Sequence, residues 1–319
     1  MNFRGLLWTL SLLAGFIVGG CAQDAQPAYR NPKLTGEERA ADLVKRMTLE
    51  EKVDQLAGGR RRGRNGNDPE EQQIFQELGQ LYRENSQVSS HDAAQLRNKA
   101  QHFLREKTRL GIPAIFQGEA LHGFMAYGST SFPQALGLAS TWDPELVQQA
   151  FTAAADEMGS AGVNQAFTPV LDLGRDPRWG RTEETYGEDP YLVARMGVAA
   201  ITGLQGNTWE IDRHHVLATM KHFAAHGQPE SGTNTAPVNI SERELRETFL
   251  VPFEAGVEQA HAGSVMASYN EIDGIPSHVN LWLLDKVLRQ EWGFRGYVTS
   301  DGGGLQMLVE THHVAADFC

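Results

Sequence analysis

Five short apolar stretches of the sequence each lead into residues that can carry charge or donate a hydrogen bond. These residues are Glu119, Asp172, the pair Lys221 and His222, Tyr269 and Asp301. A buried parallel strand is apolar on both faces, so chemistry is usually mounted on the first polar residue at its carboxyl end. We therefore expect these side chains to share one pocket. The alternative is that they are ordinary strand ends, which capping and solvation also make polar.

The apolar stretches are predicted to be strands at residues 114–118, 166–171, 216–220, 264–268 and 296–300. Helical patterns lie between them, at residues 143–158, 190–204, 242–257 and 281–292, and another precedes the first strand at 92–107. Asp143 is predicted to be the N-cap of the first of these, with Pro144 at the first helical position. This alternation predicts an α/β fold with a parallel sheet, most simply a (β/α)8 TIM-like barrel. One helical pattern, at 305–316, follows Asp301, so we expect the barrel to be incomplete at the C-terminus.

Composition sets bounds on size and partners. The chain has 319 residues, of which 41% are hydrophobic and 21% charged, as expected for one barrel-sized globular domain. Its formal net charge is −12. Nucleic acid is therefore not expected as a partner, because phosphate binding needs a basic face. A neutral ligand would not be repelled.

The N-terminus is typical of an export signal. Arg4 is followed by a mostly apolar run at 5–19, and small residues then precede Cys21. This pattern is similar to the lipobox of bacterial lipoproteins, so we predict a signal peptide over 1–21 with lipidation at Cys21. The alternative is an ordinary signal peptide. Residues 22–34 would form a tether, and we expect an exported protein in the periplasm or cell envelope, as an outer-membrane lipoprotein of a Gram-negative bacterium.

The cysteine and histidine patterns predict neither a metal site nor a cofactor. Only Cys21 and Cys319 occur, at opposite ends of the chain, and no CxxC or HExxH motif is present. The histidines at 214–215 and 312–313 are adjacent pairs, which face apart on a strand or spread around a helix. If Cys21 carries lipid, no disulfide can form within the chain, so we expect the stability of the fold to depend on its hydrophobic core.

Four motifs resemble glycoside hydrolase family 3, the β-glucosidase and β-xylosidase family. Residues 293–301 resemble its nucleophile signature, and the other three motifs lie at 118–123, 175–181 and 221–223. Their order and spacing fit the family from about residue 35 to the last residue. The resemblance implies that 35–319 is the N-terminal barrel domain of that family. It also implies that the barrel is truncated, and that the second α/β sandwich domain of most members is absent.

The resemblance also implies roles for single residues. Asp301 would be the nucleophile that forms a covalent glycosyl-enzyme, with retention of configuration. Glu119 matches the position that accepts two hydroxyls of the terminal sugar, and Tyr269 matches the residue beside the nucleophile. The positions that match donors to sugar hydroxyls are Arg181, Lys221 and His222. A nucleophile must be ionised, so nearby cations at Arg181 and Lys221 would favour it.

Other charged residues of the site are expected to support it. Asp172 and Glu184 are predicted to hold arginine side chains, and Arg178 is predicted to anchor its loop. The acid/base of two-domain members is a glutamate on the second domain, and no stretch of this chain corresponds to it. His226 is an alternative candidate, although its loop lacks the Asp-Ser-His arrangement of the one-domain hexosaminidases.

The resemblance predicts a retaining exo-β-glycosidase that hydrolyses terminal non-reducing β-D-glucosyl residues of β-linked oligosaccharides or aryl and alkyl β-glycosides. The alternative is β-xylosidase or dual activity. Glu119 replaces the aspartate common among glucosidases, and Gly302 stands where most of them have tryptophan or another large residue. A candidate of another class is a non-catalytic sugar-binding lipoprotein. A further alternative is that an open barrel exposes its strand edges and does not fold stably.

Overall fold

The computed structural model describes residues 26–56, 68–83, 87–209 and 211–317. These residues belong to two compact units, Met1–Arg62 and Gly63–Cys319. The boundary falls after Arg62, whereas the sequence pattern predicts one domain over 35–319. The predicted signal peptide and Cys21 lie outside the described residues. Among those that are described, no helix has both the length and the apolar character needed to cross a membrane.

The described part of the first unit, residues 26–56, has two helices, Gly36–Arg46 and Leu49–Leu56, after a 3₁₀ turn at Ala28–Arg30. Thr35 caps the first helix, because its hydroxyl accepts from the backbone N–H of Glu38 while the Glu38 carboxylate accepts from the N–H of Thr35. Part of the predicted tether is bound to this helix, since the N–H of Tyr29 donates to the Asp42 carboxylate at 3.0 Å.

The second unit is built on a five-stranded parallel sheet, which confirms the α/β fold and the parallel arrangement. Its strands are β1 (Gln117–Gly118), β2 (Gln165–Ala166), β3 (Leu217–Phe223), β4 (Ser264–Ala267) and, after a hairpin, β7 (Tyr297–Ser300). The sheet order is β1-β2-β3-β4-β7, so every strand lies beside the next one along the chain. Their carboxyl ends therefore lie at one edge of the sheet.

The strand bounds differ from the predicted ones at two places that affect the site. β3 continues to Phe223, so Lys221 and His222 lie within this strand, whereas the sequence pattern places them after it. β2 ends at Ala166, but backbone hydrogen bonds to β3 continue past it, since the carbonyls of Thr168 and Pro169 accept from the N–H groups of Thr219 and Lys221 at 3.0 Å. The N–H of Leu171 likewise donates to the carbonyl of Lys221 at 2.6 Å.

Helices cover the sheet and form most of the core with it. They follow the predicted order and include two stretches of π-helix. Their bounds are Ser90–Lys107, Ala135–Ala139, Pro144–Ser160, Pro190–Gln205, Glu242–Glu244 continuing as a π-turn at Leu245–Phe249, Val251–Glu258, and the π-helix Trp282–Glu291. As predicted, Asp143 caps the third of these, with its carboxylate accepting from the N–H of Leu146 at 3.0 Å.

Several elements are additional to the predicted ones, among them the short helix Ala135–Ala139, and one is shorter than predicted. The helix Pro69–Arg83 packs Ile74 and Leu78 against Phe103 and Phe116 in a second, smaller core. An antiparallel hairpin, β5 (Glu271–Ile272) with β6 (Ile275–Pro276), follows β4. The last helix spans Gly304–Glu310 rather than 305–316. Short 3₁₀ turns lie at Pro177–Trp179, Thr182–Glu184, Glu230–Gly232 and Ser277–Val279.

Candidate active site

Contacts between side chains join the ends of four strands into one site. Lys221 Nζ donates to Glu119 Oε2 at 2.9 Å, which links β3 to the residue after β1. The hydroxyl of Tyr269 donates to Asp301 Oδ1 at 2.8 Å, and His222 Nε2 lies 3.6 Å from Asp301 Oδ2. The structure therefore brings together the residues that the sequence places at strand ends.

Asp301 is held at the end of β7 by two donors on one of its carboxylate oxygens. Oδ1 accepts from the hydroxyl of Tyr269 and from the backbone N–H of Gly302, which lies 2.6 Å away. The side chain is 15% exposed. Burial, together with the bond to this carboxylate, raises the pKa of the Tyr269 hydroxyl, so Tyr269 remains a proton donor to Asp301 at neutral pH.

The protonation of His222 follows from its neighbours. Arg181 Nη2 lies 3.0 Å from Nε2 and can only donate, so Nε2 carries the lone pair and the proton is on Nδ1. Nδ1–H donates to Asp172 Oδ2 at 2.7 Å, and the backbone N–H of His222 donates to the same oxygen at 2.9 Å. His222 is thus an acceptor at Nε2 in this arrangement, whereas the family resemblance implies a donor.

Burial governs the charge of this pair. It lowers the pKa of His222 well below its ordinary value, and the nearby cations of Lys221 and Arg181 add to that effect. Burial also raises the pKa of Asp172, whose side chain is fully covered. Asp172 was expected to hold an arginine, but its hydrogen bonds orient His222 instead.

Arg181 is held by Glu184, as predicted. The guanidinium donates from Nε to Oε1 at 2.8 Å and from Nη2 to Oε2 at 2.7 Å, a two-bond contact that fixes its plane. Its carbon Cζ also lies 5.5 Å from the centroid of the Trp179 ring. These contacts hold the arginine beside His222.

Two further contacts fix the loops around the site. Arg178 forms a two-bond ion pair with Asp176, at 2.9 and 2.7 Å, so it anchors its own loop as predicted. Trp179 Nε1 donates to Asn234 Oδ1 at 2.8 Å. This bond joins the loop that follows β2 to the loop that follows β3.

His226 lies in the aromatic wall of the site. Its ring centroid is 5.2 Å from that of Trp179, 5.0 Å from that of His222 and 5.7 Å from that of Tyr269. Burial lowers the pKa of His226 to about 3. A general acid must hold its proton at the working pH, so this environment does not suit His226 for proton donation.

The outer edge of the site offers both a hydrogen-bond acceptor and a hydrogen-bond donor, the carboxylate of Glu119 and the ammonium of Lys221. The side chain of Glu119 is 43% exposed, whereas that of its partner Lys221 is 5% exposed. An exposed carboxylate next to a buried ammonium can accept from hydroxyls while its own charge stays compensated. Across the described residues, no group of three or more His, Cys, Asp or Glu is arranged to hold a metal ion.

Three residues that contact the site are not among the predicted site residues. His278 Nε2 lies 3.0 Å from Ser300 Oγ, directly beside Asp301. His312 lies 2.9 Å through Nε2 from the carbonyl of Tyr269 and 3.4 Å through Nδ1 from Glu271. Ser300 could have been found as the neighbour of a predicted site residue. The two histidines reach the site because distant parts of the chain pack together. No periodic pattern in the sequence indicates that packing.

Comparison with known proteins gives a consistent result. Residues 48–318 match the model of the glycosyl hydrolase family 3 N-terminal domain. The chain is 37% identical over 316 residues to a β-xylosidase of Formosa agariphila, and the match covers 97% of this chain and 38% of that protein. It is 36% identical over 298 residues to a periplasmic β-glucosidase of Salmonella typhimurium, and that match covers 92% of this chain and 37% of that protein.

A solved structure agrees with these relatives. The β-glucosidase EmGH1 from Erythrobacter marinus superposes with a TM-score of 0.80 at 35% identity, over 92% of this chain and 40% of that one. The chain thus spans about two fifths of the length of the relatives it matches. The strand-end residues, their contacts and the match over 48–318 all lead to the same assignment. The chain belongs to glycoside hydrolase family 3.

Proposed function

We propose that this chain provides the nucleophile half of a retaining exo-β-glycosidase. The observation that carries the proposal is the setting of Asp301, whose Oδ1 is held by Tyr269 and Gly302 while Oδ2 faces His222. A carboxylate fixed through one oxygen keeps the other in a constant position for attack. Relatives named β-glucosidase and β-xylosidase support the same class of reaction.

The reaction would proceed in two displacements. An Asp301 oxygen attacks the anomeric carbon, the glycosidic C–O bond breaks, and the leaving oxygen takes a proton from a general acid. Water then attacks the same carbon, gives up a proton, and releases Asp301 as the carboxylate. Glu119 is paired with Lys221, and His226 is neutral. We therefore propose that the acid lies outside the residues described.

The proposed substrates are terminal β-D-glucosides, with β-xylosides as the second candidate. Glucose differs from xylose by one hydroxymethyl group, which allows only modest discrimination by contact. A side chain at Gly302 would start in open space, because among the described residues a Cβ there would meet one atom within 4 Å, the hydroxyl oxygen of Tyr269 at 3.8 Å. Rates measured on an aryl glucoside and an aryl xyloside under identical conditions would compare the two sugars.

A covalent probe tests the role of Asp301 directly. In 2,4-dinitrophenyl 2-deoxy-2-fluoro-β-D-glucoside the leaving group departs without protonation, so no general acid is needed. We expect one sugar per chain by intact mass, located on Asp301 by peptide mapping. Asp301→Asn should prevent labelling, and Asp285→Asn, on an exposed helix position, should not.

The outcomes separate the candidate functions. Labelling at Asp301 supports the glycosidase, and faster labelling by the xyloside analogue would identify the second substrate. Saturable sugar binding with no labelling by either analogue would instead indicate a sugar-binding protein. Label that persists in Asp301→Asn would contradict the assignment of the nucleophile.

The same proposal includes a fold and a location. We propose that the five parallel strands are part of a (β/α)8 barrel, since consecutive strands are neighbours as in that fold. We also propose export and lipidation at Cys21, on the basis of the N-terminal sequence pattern. Expression in a Gram-negative host should give a membrane-associated chain with acyl mass, and Cys21→Ser should remove that mass.

A further inference from the structure

A histidine that no motif includes lies behind the proposed nucleophile. His278, in the 3₁₀ turn Ser277–Val279, places Nε2 3.0 Å from Ser300 Oγ. The Ser300 hydroxyl donates its single proton to the carbonyl oxygen of Asp301 at 2.7 Å. Ser300 Oγ must therefore accept from His278, whose Nε2 carries the proton. Burial lowers the pKa of His278.

The peptide group between Asp301 and Gly302 connects this chain of bonds to the carboxylate. Its carbonyl accepts from Ser300 Oγ and from the N–H of Gly304, which lies 2.9 Å away. Its N–H donates to Asp301 Oδ1 at 2.6 Å. Because a peptide group is planar and rigid, any rotation at the carbonyl end moves the donor at the other end.

Gly304 packs so closely against the ring of His278 that a side chain at this position would clash with it. A Cβ on Gly304 would lie 2.4 Å from both Cε1 and Nε2 of the ring. The turn that carries His278 is also fixed, since Ser277 Oγ donates to the carbonyl of Asn270 at 3.0 Å and accepts from Ser268 Oγ at 2.8 Å. The close packing of Gly304 and the fixed turn therefore both hold the ring against Ser300.

We propose that His278 is a positioning residue for the nucleophile, acting through Ser300 and the Asp301–Gly302 peptide group. The inference rests on the proposed role of Asp301 as nucleophile. Tyr269 donates to the same carboxylate oxygen. Loss of His278 leaves the Ser300 hydroxyl free to turn, so the carbonyl of Asp301 keeps only the N–H of Gly304 as a fixed donor, and the N–H of Gly302 is held less firmly toward Oδ1.

The test uses the covalent probe described above with paired variants. His278→Leu and Ser300→Ala remove a link, whereas His278→Gln and Ser300→Thr keep a donor and a hydroxyl. We expect the removing variants to lower kinact by about 10- to 100-fold with KI within about 2-fold of the wild type, and the conservative ones to recover most of the loss. Because both act on one chain of bonds, the double variant should be no slower than the slower single one. The exposed His313→Gln is the matched control.

A second measurement does not depend on turnover. The short bond to Asp301 Oδ1 should shift the amide proton of Gly302 downfield in an NMR spectrum of glycine-labelled protein, assigned by Gly302→Ala. We expect an upfield shift in Ser300→Ala and recovery in Ser300→Thr. Ser300→Ala keeps the backbone and most of the volume, so it decides the matter even where His278→Leu does not fold.

The outcomes distinguish the two proposals. A wild-type chain that is not labelled contradicts the nucleophile, while the Gly302 resonance still tests the link to Ser300 and His278. Labelling of His278→Leu and Ser300→Ala at the wild-type rate, an unchanged Gly302 resonance, or additive losses in the double variant would each overturn the positioning role.

Discussion

Among single residues, Asp172 shows how one buried carboxylate orders the site around it. Its Oδ2 accepts two N–H groups of His222, and that choice of tautomer makes Nε2 the acceptor for Arg181. The carboxylate itself contacts neither Asp301 nor the exposed edge at Glu119. Its contribution is to orientation, and its removal should be visible first in stability.

Asp172→Leu should lower the free energy of unfolding by about 2–5 kcal/mol, because it leaves two buried N–H donors without an acceptor. Asp172→Asn keeps an acceptor oxygen at the same place, so its loss should stay below about 1.5 kcal/mol. Urea unfolding at pH 7 measures both. Equal losses in the two variants would show that charge, and not hydrogen bonding, is what Asp172 supplies.

His226 gives the site a dependence of stability on pH. Its pKa is lowered from 6.5 to about 3 in the folded protein, so between these values the unfolded chain binds more protons than the folded one. The free energy of unfolding should therefore fall as the pH falls through this window, by up to about 1.4 kcal/mol per pH unit from this group.

The variant His226→Gln isolates that contribution. Its free energy of unfolding should decrease less steeply than that of the wild type between pH 6 and pH 4, while the raised pKa of Asp172 acts in both proteins. His102→Gln, which removes an exposed histidine, is the control. If the free energy of unfolding depended on pH equally in the wild type and in His226→Gln, that result would contradict the assignment of a neutral, buried imidazole.

At the scale of elements, two glycines in helices should respond to alanine with opposite signs. In the helix Pro190–Gln205, a Cβ on Gly203 would lie 2.4 Å from the backbone oxygen of Gln148 in the neighbouring helix. Backbone cannot give way as a flexible side chain can, so Gly203→Ala should destabilise by about 1–3 kcal/mol.

Gly79 in the helix Pro69–Arg83 has no such neighbour, since no atom of the described residues outside its own helix backbone would lie within 4 Å of a Cβ there. Gly79→Ala should therefore stabilise by up to about 1 kcal/mol through helix propensity. Thermal unfolding of the two variants side by side measures the difference. A similar shift in both would mean that helix packing does not set the effect.

The elements also show what the sequence can and cannot predict. Caps such as Asp143 and the alternation of apolar runs depend on neighbours in sequence, and those predictions are confirmed. The ends of β2 and β3 depend on which backbone groups find partners across the sheet, and there the predicted bounds are wrong. The helix Pro69–Arg83 does carry a local signal, a proline at its first position followed by Glu70 and Glu71.

Within the site, sequence motifs predicted the residues but not their partners. Glu184 holds Arg181 as expected, since the two are three residues apart. Asp172 pairs with His222, fifty residues further along, and His278 reaches Ser300 from another turn. Such pairs arise only when the sheet and its loops are assembled in three dimensions.

For the molecule as a whole, charge should select among sugars. The net charge is −12, and the site itself contains two cations, Arg181 and Lys221, against the four carboxylates Glu119, Asp172, Glu184 and Asp301. A neutral glycoside should therefore show labelling rates that change by less than about 2-fold between about 20 and about 500 mM NaCl.

An anionic glycoside should behave differently in the same experiment. A β-glucuronide with the same leaving group should react more slowly at low salt, and its labelling rate should rise as salt screens the repulsion. The ratio of the two rates at each salt concentration removes effects of salt on the protein. A ratio independent of salt would show that the field of the whole molecule does not reach the site.

The bond between Trp179 and Asn234 has a consequence for protein engineering. It joins loops that follow different strands, and it lies next to the contacts that Trp179 makes with the Arg181 guanidinium and, edge to face, with the His226 ring. Grafting one loop from a relative of different specificity would leave an indole N–H or an amide oxygen without its partner. The two loops therefore form a single exchangeable module, and chimaeras should be cut outside both of them.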